Sequence, residues 1–111
     1  MSDCIFCKIV NKEIPSEIVY EDEYVLALMD INPINKGHTL VIPKKHFDNL
    51  FDIPEDTLDK TMNVVKKIAK AIDGFSKGVN IGQNNRLAAG QIVNHIHFHV
   101  IPRYEGDGLK H

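Results

Sequence analysis

The sequence predicts an α+β domain, with a mainly antiparallel sheet, one long helix and a short helix at the N-terminus. Three observations lead there. Short apolar runs recur at hairpin-like intervals: Ile18-Val19-Tyr20, Tyr24–Asp30 and His38–Pro43. A single stretch, residues 54–73, carries helical periodicity. Near the C-terminus, His95-Ile96-His97-Phe98-His99 alternates strictly, which is the period of a strand. With 111 residues and neither an internal repeat nor a linker-like segment, the chain reads as one domain, 1–111.

Each element has its own reason. Cys4-Ile5-Phe6-Cys7-Lys8-Ile9-Val10 reads as a short helix or turn holding two thiols close together. Pro15-Ser16 ends it, Ile18–Tyr20 follows as a strand, and Glu21-Asp22-Glu23 turns the chain. Tyr24–Asp30 is mostly apolar, which places it inside a sheet covered on both faces. Asn32–Gly37 is a loop by its Pro, Asn and Gly, and His38–Pro43 a third strand ended by proline. In the long helix, Leu58, Met62, Val65, Ala69 and Ile72 recur at spacings of three and four, predicting one apolar stripe. Asp52 and Glu55 serve as cap and N3 partner, Pro54 lies in the first turn, and Gly74 follows the end. Val79–Gln83 is a weak strand. Asn84–Gln91 is a polar loop delivering the chain into the histidine strand, which Pro102 closes, and Glu105–Gly108 reads as a mobile tail.

Composition narrows the function. Apolar and charged fractions of 43% and 25% are those of an ordinary globular protein. A net charge of −2, with no block of Lys or Arg beyond short pairs such as Lys44-Lys45 and Lys66-Lys67, argues against broad nucleic-acid binding but leaves a small-nucleotide site open. Met1-Ser2-Asp3 shows no basic n-region, and no apolar run approaches the roughly 20 residues that span a bilayer. The expected compartment is the cytoplasm, where a disulfide is not the expected use of Cys4 and Cys7.

The histidine row carries the chemistry. On a strand the three imidazoles share one face, leaving Ile96, Phe98 and Val100 to be buried on the other. Outer members of the row then stand about 13 Å apart, too far for one ion with bonds near 2 Å. The row must divide its labour. Cys4-x-x-Cys7 suits one tetrahedral ion, and two nitrogen ligands would close a Cys2His2 site, with His46 and His95 as candidates. A closed site of that kind is structural. His97 and His99 remain for chemistry: a neutral imidazole can attack phosphorus or shuttle a proton. Asn84 and the backbone around Gly90 could hold a phosphate, Asp30 could accept from a ribose or cap a turn, and His38 could flank the same pocket. A competing reading makes the histidine row itself a catalytic metal centre.

Gln91-x-x-x-His95-Ile96-His97-Phe98-His99-Val100-Ile101 resembles the signature of the histidine triad superfamily. Cys4–Ile9, Ile14-Pro15-Ser16, Tyr20-Glu21-Asp22, Gly37–His46 and Ile101-Pro102-Arg103-Tyr104 resemble its microbial Hint-like branch, so the likeness runs through nearly the whole chain. The resemblance implies a purine-nucleotide hydrolase or transferase acting at the α-phosphorus, on nucleoside phosphoramidates or AMP conjugates. It implies His97 as nucleophile through a covalent nucleotidyl-histidine, His99 at the phosphate or leaving atom, and His38 as a nearby relay. Phe6 and Ile31 would flank the base, Asp30 hold the ribose, and Asn84, Gly90 and Gln91 belong to the nucleotide site. It further implies one structural zinc per chain on Cys4, Cys7, His46 and His95, and a homodimer formed through the long helix and adjacent strand. Many Hint-type members carry a serine two residues after the glycine matching Gly90; this chain has Ile92 there, and only 12 residues follow His99. A zinc-stabilised nucleotide-binding or scaffolding module with negligible catalysis is the alternative.

Overall fold

A computed structural model describes residues 3–109. Met1 and Ser2, part of the N-terminal stretch read above for a signal, lie outside the described residues. The elements run α1 (Ile5–Val10), β1 (Ile18–Glu21), β2 (Val25–Met29), β3 (Thr39–Pro43), α2 (Glu55–Asp73), β4 (Gly78–Gly82) and β5 (Phe98–Arg103), with a 3-10 turn at Leu87–Ala89. The five strands form one sheet in the order β1-β2-β3-β5-β4, every pair antiparallel. The predicted α+β architecture is the observed one. Among the described residues, no helix is long and apolar enough to cross a membrane.

Period-two alternation explains why β2 and β3 carry apolar residues on both faces. Val25, Ala27 and Val41 point to the face covered by α2, where they meet Val64, Val65, Ile72, Ile96, Phe98 and Val100. Leu26, Leu28, Leu40 and Ile42 point to the opposite face, where Phe6 and Ile9 of α1 cover them. Burial on both faces is what the continuous apolar run of β2 predicted.

Several local readings are corrected. Helix α2 begins at Glu55 with Pro54 as N-cap and no side-chain cap bond. Asp52 instead accepts the main-chain N–H groups of Asp48 and Asn49, closing the preceding turn. The buried stripe is rotated from the predicted one: Thr61, Val64, Val65 and Ile72 are buried, Leu58 and Ala69 pack at its margin, and Met62 is 39% exposed. Thr61 can be buried because its hydroxyl donates to the Thr57 carbonyl at 2.8 Å.

Strand β5 begins only at Phe98, so His95 and His97 precede the ladder and His99 alone lies within it. Pro102 does not end the strand. Its register with β3 covers only Phe98–Val100, and by Pro102 only β4 remains as a neighbour, so the missing N–H breaks no bond to β3. The segment after β5 is pinned rather than mobile, because Asp107 ties it back to Arg103 through two hydrogen bonds of 2.9 Å.

Candidate active site and metal centre

The three histidines of the row occupy different surroundings. His95 is fully buried and His97 nearly so, which a solvated row would not be. Ile96 donates its N–H to the Phe47 carbonyl at 2.8 Å, anchoring the approach to β5 against the loop after β3. That loop carries His46. The rings of His97 and His99 stand 5.0 Å apart, closer than the roughly 6.6 Å of a straight strand.

Four donors converge on one side of His95. The Cys4 and Cys7 sulfurs and the Nδ1 atoms of His46 and His95 all lie within 4.8 Å of one another. Sulfur-to-nitrogen separations are 3.4 Å (Cys4–His95), 3.3 Å (Cys7–His46) and 3.6 Å (Cys7–His95). A tetrahedral zinc ion with ordinary Zn–S and Zn–N bonds needs edges of about 3.3–3.8 Å, so the set fits. The outward nitrogens agree. His95 donates Nε2–H to the Pro43 carbonyl at 2.7 Å, and His46 donates Nε2–H to Asp48 at 3.0 Å. Each bond fixes the tautomer that leaves Nδ1 with a lone pair toward the thiols. Burial holds the His95 imidazole down at about 4, keeping it in the neutral, ligating form. Burial, then the neighbouring Cys4, pushes the Cys7 thiol up to about 11, since two adjacent thiolates need a cation between them. Asp48 and the Pro43 carbonyl were not found from sequence. A carboxylate two residues after His46 was the only available sign of the first, and a carbonyl leaves none.

On the other side of the row lies a cavity of about 380 Å³. Phe6, Ile9, Leu28 and Leu40 make most of its wall apolar, with Ser16, Asp30, Asn32, His97 and His99 as polar groups and Ile31 and Ile92 exposed at its margin. Phe6 sets its ring edge-on to both His95 (5.8 Å) and His97 (5.1 Å), dividing the metal centre from the cavity.

Hydrogen bonds assign the tautomers in the cavity. His97 donates Nδ1–H to the His95 carbonyl at 2.8 Å, which leaves a lone pair on Nε2. His38 accepts the Ile34 N–H on Nδ1 at 3.0 Å and therefore carries its proton on Nε2. That proton is donated to His99 Nδ1 at 2.9 Å, with Asp30 Oδ2 3.5 Å from the same His38 nitrogen. His99 thus keeps Nε2–H as a donor. Burial lowers the pKa of all three rings, that of His99 to about 4, so each is neutral near pH 7. The arrangement offers one nitrogen nucleophile and one N–H donor side by side.

The loop before the row does less than its sequence suggested. Gly90 takes φ +92°, and a side chain there would press against the Asn84 amide, which lies 3.4 Å from the Gly90 carbonyl. Gln91 is buried, accepting the Arg86 N–H and donating to the carbonyls of Asp48 and Val93. Its side chain holds the loop in shape. Phe6, Asp30, Ile31, His97 and His99 line the cavity; Asn84, Gly90 and Gln91 are not among its lining residues, and His38 acts through His99.

A histidine row split between a thiol cluster and a nucleotide-sized cavity, on a five-stranded antiparallel sheet, defines a class of histidine-triad proteins. The model of the HIT domain matches residues 11–106, and the chain belongs to the HIT family. It is 59% identical over 107 residues to a HIT-like protein of Methanocaldococcus jannaschii, covering 95% of this chain and 82% of the relative. It is 47% identical over 109 residues to the adenosine 5'-monophosphoramidase of Saccharomyces cerevisiae, covering 96% of this chain and 66% of that protein. Among solved structures, a zinc-bound histidine triad family protein from Mycobacterium smegmatis superposes with a TM-score of 0.94 at 44% identity, over 98% of this chain and 81% of that one.

Proposed function

We propose that the protein hydrolyses or transfers purine nucleotides at the α-phosphorus, acting on nucleoside phosphoramidates or AMP conjugates through a nucleotidyl-histidine on His97. The observation that carries this is the pair of fixed tautomers, a bare His97 Nε2 beside a protonated His99 Nε2. The similarity to a monophosphoramidase supports the reaction class.

In this reading the apolar end of the cavity, with Phe6 and Ile31, takes the purine, and Asp30 accepts from the ribose hydroxyls. His97 Nε2 attacks phosphorus, and the bond from phosphorus to the leaving amine breaks. The amine departs with the electron pair and takes a proton from solvent. Charge that develops on His97 is met at Nδ1–H by the His95 carbonyl. His99 donates its Nε2 hydrogen bond to the phosphate oxygen or the leaving atom. Water then breaks the N–P bond, releasing the nucleotide and the free imidazole. Asn84 and the main chain near Gly90 are the groups we assign to the phosphate, with Gln91 holding their loop in shape.

One zinc ion per chain is held by Cys4, Cys7, His46 and His95. When bound it supplies crosslinking, tying α1 to the segment that enters β5. We place a homodimer on β4, which is a sheet edge, and on the adjoining surface of α2, where Ile81, Met62 and Phe75 are exposed.

Ile92 favours a second reading, a zinc-stabilised nucleotide-binding module with negligible catalysis, because it offers no hydroxyl to a leaving group where it lines the cavity. Mass spectrometry of the intact protein, quenched quickly after mixing with an adenosine phosphoramidate, separates the two. An adenylyl adduct and AMP release in the wild type, both absent in His97→Ala, are expected. AMP binding without adduct or turnover would leave the module standing. Full turnover in His97→Ala would overturn the assignment of the nucleophile.

A further inference from the structure

The segment after β5 reaches back toward the site through one carboxylate. Asp107 accepts from Arg103 twice, at 2.9 Å from Nε and 2.9 Å from Nη2, and from the main-chain N–H groups of Tyr104 (2.9 Å) and Leu109 (3.0 Å). It also accepts from the Asn35 amide at 3.1 Å, and Asn35 donates as well to the Pro102 carbonyl at 3.0 Å. Next to it, the Tyr104 hydroxyl donates to the Lys36 carbonyl at 2.6 Å. Two anchors therefore fix the loop between β2 and β3 at consecutive residues. That loop supplies the Ile34 N–H that His38 accepts on Nδ1, and His38 in turn sets the tautomer of His99.

We infer that Asp107 is a positioning residue for the reaction, acting through Asn35 on the Ile34 N–H and so on the tautomers of His38 and His99. Without the brace, the Ile34 N–H drifts from His38, and the Asp30 carboxylate 3.5 Å from Nε2 is left as the one remaining contact that favours a proton on that nitrogen. A His38 protonated on Nδ1 presents a lone pair to His99, which must then turn its own proton inward and offers no donor to the cavity. Misplacement of this kind, remote from the reacting atoms, costs turnover rather than binding. The effect on turnover rests on the proposed nucleotide reaction; the effect on tautomers does not.

The test is imidazole nitrogen-15 NMR of His38 and His99 together with steady-state kinetics on an adenosine phosphoramidate. Asn35→Ala removes the amide that joins the loop to Asp107 and to the Pro102 carbonyl, and leaves the Asp107–Arg103 pair intact. Asn80→Ala instead removes the acceptor for Arg103 Nη1, 2.8 Å away, and leaves the link untouched. In Asn35→Ala, His38 is expected to show mixed tautomers, with kcat down about tenfold and KM within about twofold. Asn80→Ala should show neither change. If Asn35→Ala fails to fold, Asp107→Ala, which removes the acceptor of the Asn35 amide, is read in the same way. A single wild-type tautomer of His38 in the folded variant overturns the inference. A wild type without turnover refutes the nucleotide reaction instead, and the NMR comparison still decides the brace.

Discussion

His97 Nδ1 lies 2.8 Å from the carbonyl oxygen of His95, while the His95 ring turns its own Nδ1 toward two sulfurs. One residue thus faces the metal centre with its side chain and sets the tautomer of the proposed nucleophile with its main chain. Loss of metal should therefore be felt in catalysis without any chemistry passing through the metal. Cys4→Ser combined with Cys7→Ser is expected to abolish stoichiometric zinc, measured by elemental analysis. The melting temperature should drop by about 10 °C, corresponding to about 2 kcal/mol for a domain of this size. Turnover should fall while AMP affinity changes less. Retained zinc in the double variant would place the ligands elsewhere.

The buried histidines make stability depend on pH in a defined direction. Burial holds the His38 and His99 pKa values below the ordinary 6.5, that of His99 at about 4. In the unfolded chain these rings take up protons first as pH falls, so acid favours unfolding. Their contribution is complete above about pH 6.5 and declines as pH falls toward 4. Denaturant unfolding at about pH 7 and pH 5 should show the decline, and His99→Gln should show a smaller one. An equal decline in the variant would mean that His99 titrates normally in the folded state.

Much of this molecule was legible in its sequence, because period-two and period-3.6 patterns reflect burial directly. The cluster of two thiols and two imidazoles was legible in part: the Cys4-x-x-Cys7 spacing, shared with redox motifs, marked a candidate metal pair, and His46 and His95 were the imidazoles left to complete it. Less legible was whatever depends on main-chain groups. The Ile34 N–H and the Pro43 and His95 carbonyls set three tautomers, and no residue type announces them. The helix stripe was read rotated from the buried one, and at its clearest departure the reason is physical: Met62 is the more apolar residue, yet Thr61 satisfies its hydroxyl on the helix and takes the buried place. Core substitutions test this directly. Val64→Ala, at a position 2% exposed, should cost about 2 kcal/mol, whereas Met62→Ala should stay within about 0.5 kcal/mol. Equal losses would restore the stripe read from the sequence.

Asp30 joins two functions. One oxygen accepts the Asn32 N–H at 2.9 Å, and the other lies 3.5 Å from His38 Nε2 while the residue lines the cavity. If it also accepts from the ribose, Asp30→Asn should lower kcat/KM about tenfold, since hydrogen bonds to a charged acceptor contribute about 1.5–3 kcal/mol. The loss should shrink for a substrate lacking both ribose hydroxyls, measured as a double-substitution cycle of enzyme and substrate. An undiminished loss would confine Asp30 to its contact with His38.

Ile92 is the position at which chemistry can be added most cheaply. It is 87% exposed and lines both the nucleotide cavity and a second cavity of about 400 Å³ beside Cys4 and His46. Its side chain makes little contact with the core, so Ile92→Ser should leave stability within about 0.5 kcal/mol. A serine hydroxyl there can donate to an amine leaving from phosphorus, a step to which the proposed mechanism brings the His99 N–H. General-acid assistance typically contributes about 100-fold or more, and an exposed hydroxyl only part of that. Ile92→Ser should therefore raise kcat on an adenosine phosphoramidate about tenfold, with the gain largest for the most basic leaving amines. Single-turnover kinetics should show adduct formation accelerating while hydrolysis of the adduct is unchanged. If the gain is independent of amine basicity, Ile92 acts by limiting access to the cavity, and the hydroxyl is irrelevant to the leaving group.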